Sequence, residues 1–120
     1  MARVIHFEIP VDNPERAQAF YQEAFGWDIS RSGLPVDYRL ATTGPDEEPG
    51  INGALTPRSE MSAWIHVGVD SVDKAVRRVE EAGGEAITRK MPIPRVGYMA
   101  YCRDTEGNAF GVYEDDASAA

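Results

Sequence analysis

The sequence predicts an α+β fold made of two β-α-β-β-β units, and three observations carry that prediction. The first is a repeat. Residues 6–30, HFEIPVDNPERAQAFYQEAFGWDIS, return 58 positions later as WIHVGVDSVDKAVRRVEEAGGEAIT, with seven of 25 aligned pairs identical. Unrelated segments of ordinary composition match at roughly one position in fifteen. The identities are Val11/Val69, Asp12/Asp70, Ala17/Ala75, Glu23/Glu81, Ala24/Ala82, Gly26/Gly84 and Ile29/Ile87. The second observation is the shared order of signals: alternation, an Asp, a helical period, a Gly. The third is the number of copies. Two are too few for a solenoid, so the units are expected to form one single domain with a curved, cleft-bearing sheet, unit one at about 3–57 and unit two at about 61–114.

Arg3 to Ile9 alternates, with Ile5, Phe7 and Ile9 on one face and Val4, His6 and Glu8 on the other. The apolar face calls for a helix, which leaves His6 and Glu8 on the cleft side. Asp12 or Asn13 then supplies a capping oxygen, and Pro14 suits a first helical turn, where no backbone donor is needed. Ala17, Phe20, Tyr21, Ala24 and Phe25 follow at helical spacing as one stripe, and Gly26 ends the helix. Short strands are expected at 27–30, 36–42 and 51–56, with GPDEEPG at 44–50 as an exposed acidic turn.

The second half repeats the order. A strand over 61–69 places Ile65, Val67 and Val69 on one face and Trp64, His66 and Gly68 on the other. Ser71 caps a helix at about 72–82 that buries Val72, Ala75, Val76 and Val79 and closes at Gly83-Gly84. Residues 85–89 read as a strand and MPIPRVG, 91–97, as a stiff proline loop. Strands at 98–103 and 108–114 form a hairpin, and 115–120 reads as a flexible tail.

A net charge of −8 disfavours nucleic acid and anionic membrane, since both require clustered Lys and Arg. The lone Cys102 cannot form an internal disulfide, and no run approaches membrane-spanning length, so a cytoplasmic protein is expected. Cys102 shares strand parity with Tyr98 and Ala100, the expected helix-facing side. P-loop, G-x-G-x-x-G, C-x-x-C, H-E-x-x-H and G-x-S-x-G patterns are all absent.

Three stretches carry a resemblance: HFEIPVDNPERAQAFYQEAFGW, VDSVDKAVRRVEEAGG and RDTEGNAFGVYE. They resemble the vicinal oxygen chelate superfamily, which includes glyoxalase, fosfomycin and bleomycin resistance proteins and extradiol dioxygenases. The last stretch is similar to a D-P-x-G-N hairpin, with Thr105 where Pro is usual. The resemblance implies a glyoxalase-like fold over residues 3–114. It also implies four cleft positions that hold metal ligands in metal-using members, on the first, fourth, fifth and eighth strands. Here those positions carry His6, Ala54, Trp64 and Gly111, and His6 alone matches a ligand type. One histidine does not hold a divalent cation, so no metal and no other cofactor is expected at the usual site. Without the metal, the family's isomerisation and ring-cleavage chemistries lack their Lewis acid.

The candidate catalytic groups are His6, Glu8 and His66, all on the expected cleft side. Two histidines and a carboxylate also make a facial-triad donor set, although residues two apart on a strand stand about 7 Å apart. A hydrogen-bonded His–Glu contact, a general base and simple solvation of a wet cleft are the other readings. Trp64, Met99, Tyr101 and Tyr113 would line the cleft if Leu40 and Val112 face the helices, with Arg39 and Asn52 as further polar ligand-binding groups. The expected function is a glyoxalase-like small-molecule-binding protein, a homodimer lacking the usual metal. The alternative is a lyase or isomerase-type enzyme acting on a small carbonyl or acid substrate, with or without a divalent metal.

Overall fold

The computed structural model describes residues 2–120. Contacts divide the chain into two units, one of residues 6–64 and one of residues 2–5 with 65–120. Residues 2–5 therefore pack with the second half of the sequence. Ile5 covers Gly68, where an added Cβ would meet the Ile5 side chain.

In the 6–64 unit, β1 (Arg3–Val11, entering the unit at His6) leads into α1 (Pro14–Phe25), β2 (Asp28–Arg31), β3 (Arg39–Thr42) and β4 (Gly53–Pro57). The strand order is β2-β3-β4-β1, with β1 parallel to β4 and the other pairs antiparallel. Asn13 caps α1 by accepting from the Arg16 N–H, Pro14 opens it, and Gly26 closes it in the left-handed region at φ 71°. The core is Val11, Ile29, Ala41 and Leu55, packed by Phe7, Ile9, Ala17, Tyr21 and Trp27. Phe7, Ile9 and Val11 of β1 thus face α1, and His6 and Glu8 face away from it.

The expected stripe on α1 is corrected. Phe20 and Phe25 are 58% and 64% exposed, and the sheet is met by Ala17, Gln18 and Tyr21. Gln18 turns inward because it donates to the Ile29 carbonyl and accepts from buried Arg39. Tyr21 stacks on Trp27 at 4.9 Å and 5°, which leaves Phe20 and Phe25 on the outer side of that stack.

The other unit runs β5 (Ile65–Gly68), α2 (Val72–Glu81), β6 (Glu85–Ala86), β7 (Met91–Ile93), β8 (Gly97–Arg103) and β9 (Ala109–Asp115). Its strand order is β5-β9-β8-β6, with β7 also on β8 and β5 parallel to β9. The core is Val72, Ala100, Cys102 and Val112, covered by Ala75, Val76 and Val79 of α2. The α+β class and the β-α-β-β-β order are borne out, with one strand added. The proline loop begins as β7, which tolerates Pro92 because an edge strand leaves donors unpaired.

Two further expectations change. The strand over 61–69 begins only at Ile65, since Met61 and its neighbours form a turn closed by Ser62 N–H donating to the Ser59 carbonyl. Residues 116–119, expected as a flexible tail, form a turn. Arg95 N–H donates to the Ala119 carbonyl, Asp116 N–H donates to the Val96 carbonyl, and Ala119 is buried. That contact holds Arg95 at φ 66°, a conformation few side chains adopt.

Candidate functional site

In the 6–64 unit, register aligns Glu8, Ala54 and Leu40 in one row across β1, β4 and β3, on the face away from α1. Glu8 is 7% exposed and Ala54 fully buried. His6 stands two residues before Glu8, and Tyr38 two residues before Leu40. His6 Nε2 and Tyr38 Oη lie 2.7 Å apart, and their rings stack at 6.3 Å and 15°. β3 is antiparallel to β4, so this hydrogen bond crosses the Glu8–Ala54–Leu40 row diagonally. Tyr38 escaped the sequence reading. Its signal was parity with Leu40, once Leu40 is placed on the outer face.

That placement reverses the expected one. Arg39, expected to bind ligand in the cleft, pairs opposite Leu55 and lies 5% exposed beneath α1. Its Nε and Nη2 donate to the two carboxylate oxygens of Asp37 at 2.8 and 3.0 Å, Nη1 to Gln18 at 2.8 Å and Nη2 to Glu15 at 3.2 Å. A planar guanidinium met by a bidentate carboxylate tolerates burial, whereas apolarity alone would have put Leu40 there. Leu40 is instead 43% exposed. The hydrogen bond from Arg39 holds the Asp37 carboxyl below its ordinary pKa, and the same bond raises that of Arg39.

Asn52 is exposed just before β4, and its Oδ1 accepts from the Thr43 N–H at 2.8 Å. It thereby closes the acidic 44–50 loop and lines a pocket of about 130 Å³ with Thr43, Pro45, Asp46 and Glu48. Trp64 stands just before β5, 56% exposed, and its carbonyl accepts from the Glu8 N–H at 2.9 Å.

In the other unit, His66 is 4% exposed and pairs with Gly111 across β5 and β9. A Cβ on Gly111 would collide with the His66 ring. Tyr101, the other cross-strand neighbour of Gly111, meets His66 edge-on at 5.8 Å and 71°. Met99 and Tyr113 pair with one another on this same face, away from α2. Tyr113 turns toward the strand end, where its hydroxyl donates to Asp115 Oδ1 at 2.7 Å and lies 3.1 Å from the Val96 carbonyl. Burial first, and the Asp115 hydrogen bond second, push its phenol up to about 12. Cys102 lies in the core, where burial raises the thiol pKa and makes the thiolate scarce.

The residues at the four inherited positions do not fit a divalent cation. Ala54 and Gly111 offer no donor, Trp64 offers only an indole N–H, and the His66 ring fills the space beside Gly111. Among the described residues, no three His, Cys, Asp or Glu side chains group so as to hold a metal ion. No described helix is long and apolar enough to cross a membrane.

The sequence pattern of the Glyoxalase/Bleomycin resistance protein/Dioxygenase superfamily matches residues 3–112. The chain belongs to that superfamily. Among curated proteins, this glyoxalase-superfamily member is 28% identical over 109 residues to the glyoxylase candidate CFP32 of Mycobacterium bovis. That match covers 88% of this chain and 41% of CFP32, so the chain spans about two-fifths of its relative's length. It is 25% identical over 112 residues to a glyoxylase-like domain-containing protein of Didymella fabae, covering 88% of each. Two solved structures share the fold. The hypothetical protein BH1468 of Bacillus halodurans superposes with TM-score 0.71 at 20% identity, over 99% of this chain and 98% of its own. Methylmalonyl-CoA epimerase of Mycobacterium tuberculosis superposes with TM-score 0.72 at 14% identity, over 94% and 87%.

Proposed function

We propose that this superfamily member is a small-molecule-binding protein that works without the family's usual metal. The observation that carries the proposal is the His66 ring in the space a Gly111 side chain would need. A carboxylate at that position would have to displace a buried imidazole, so the eighth-strand position takes no metal-binding residue while His66 stays. Within the 6–64 unit, ligand contacts are assigned to His6, Glu8 and Trp64; within the other unit, taken by itself, His66, Met99, Tyr101 and Tyr113 are the ligand-binding candidates. Arg39 and Asn52, given their partners, support the site from outside it. A homodimer and a cytoplasmic location belong to the same proposal, testable by sedimentation equilibrium and cell fractionation.

The test is elemental analysis of purified protein after dialysis against zinc, nickel or manganese, beside the His6→Ala variant. Less than stoichiometric metal in both proteins is the expected result. One tightly held equivalent, lost in the variant, restores a metalloenzyme. A second reading, a metal-independent isomerase or lyase acting on a carbonyl or acid substrate, is favoured by the burial of Glu8 and His66 at 7% and 4% exposure. Ionisable groups held out of water are suited to moving protons. That reading requires turnover that Glu8→Gln or His66→Gln abolishes while binding persists.

A further inference from the structure

We propose that Asn52-Gly53 is a site of spontaneous backbone rearrangement, in which the Asn52 carboxamide is lost and the loop it closes is released. Asn52 stands exposed just before β4, outside any strand or helix. Gly53 opens the strand and is buried, and a Cβ there would collide with the carbonyl oxygen and ring of Phe7. Close packing of β1 on β4 therefore fixes the glycine. A separate demand fixes Asn52. Its Oδ1 accepts from the Thr43 N–H at 2.8 Å, beside the Thr43 hydroxyl, which donates to the Ile51 carbonyl at 2.7 Å. Together the two requirements leave a carboxamide next to an amide nitrogen that no side chain shields.

The Gly53 nitrogen gives up its proton to hydroxide and attacks Cγ of Asn52. A C–N bond forms, the Cγ–Nδ2 bond breaks, and ammonia departs to leave a cyclic succinimide. Water then opens the ring at either carbonyl. Opening at Cγ gives an aspartate in an unchanged chain; opening at the former peptide carbonyl gives isoaspartate, with the chain routed through Cγ and one carbon longer. The Thr43 N–H, donating to Oδ1, draws electrons from Cγ and favours the attack. Either product adds one negative charge to a chain already at −8, close to Asp46 and Glu48. In isoaspartate Oδ1 becomes a main-chain carbonyl of the lengthened chain, so the Thr43 bond is lost and loop 44–50 opens. The other two asparagines are disfavoured. Pro14 follows Asn13 and has no amide proton to lose. Ala109 follows Asn108 and puts a methyl group in the path of attack, while Asn108 Nδ2 donates to Asp104 Oδ2 at 3.3 Å.

The test incubates the full folded chain in warm, mildly alkaline buffer and maps the products by peptide mass spectrometry with electron-transfer fragmentation. Expected is a mass gain of about one dalton on the Asn52 peptide, from nitrogen exchanged for oxygen, with isoaspartate exceeding aspartate. Asn13 and Asn108 should remain intact over the same period, and Asn52→Gln should show no new acidic species on ion exchange. Hydrogen exchange at the Thr43 amide should quicken in the isolated isoaspartate form and stay slow in Asn52→Asp, which keeps an acceptor oxygen. Conversion of Asn52 no faster than that of Asn108, zero conversion included, overturns the site. Conversion with the Thr43 amide still protected in the isoaspartate form overturns the release of the loop.

Discussion

Gly111 and His66 face each other across β9 and β5, and the imidazole occupies the space a side chain on residue 111 would need. The glycine is therefore a requirement of its neighbour, since β propensity alone disfavours Gly inside a strand. Gly111→Ala should lower stability by about 1–3 kcal/mol, the range for overpacking a filled site. The same substitution in a His66→Ala background should cost far less, because the obstructing ring is gone. Urea denaturation of the four proteins measures the coupling, and additive effects would remove the steric account.

Arg39 ties α1 to the sheet through Gln18, Glu15 and Asp37. Arg39→Ala should cost about 1.5–3 kcal/mol, as for hydrogen bonds to charged groups, with ligand affinity unchanged. Glu15→Ala should cost under about 1 kcal/mol, because its carboxylate is largely in water.

Asp37 also sets an acid limit. Its folded pKa is depressed below the ordinary 3.8, chiefly by the Arg39 hydrogen bond. Its contribution is thus present above pH 3.8 and lost as pH falls through the lower folded value. Asp37→Asn should flatten the stability profile in that acid range, as read by circular dichroism in mild urea.

Tyr113 sets the alkaline counterpart. A phenol raised from 10.0 to about 12 favours its protonated form in the folded state. The stability it contributes is whole below pH 10 and is lost as pH rises toward 12. Tyr113→Phe should remove that alkaline slope, and ultraviolet titration should find one tyrosine ionising late.

The outer aromatics of α1 are separable from the inner one. Tyr21→Ala should cost about 2–4 kcal/mol through its stack on Trp27, whereas Phe25→Ser should cost under about 1 kcal/mol. Equal losses would restore the single stripe of Ala17, Phe20, Tyr21, Ala24 and Phe25.

What was legible follows from what is local. The helices read at about 14–25 and 72–82 match the observed 14–25 and 72–81 because Asn13, Pro14, Gly26 and Ser71 act on backbone groups within one turn. The outward face of β1 was readable from alternation alone. Arg39 was not, because its burial depends on Gln18, 21 residues away, and on a bidentate partner that polarity patterns do not reveal. Tyr38 was missed for the same reason: its partner His6 lies 32 residues upstream. β7 was hidden by prolines whose tolerance depends on being at an edge.

The packing of residues 2–5 with residues 65–120 has a consequence in time. Ile5 leaves the ribosome early, while Gly68, which it covers, follows 63 residues later. At ordinary synthesis rates that gap lasts roughly 3–13 seconds, long compared with helix or hairpin formation. A chain released at residue 64 should therefore protect β4 from hydrogen exchange while the amides of residues 2–5 remain open. The earliest residues made are among the last to find their place.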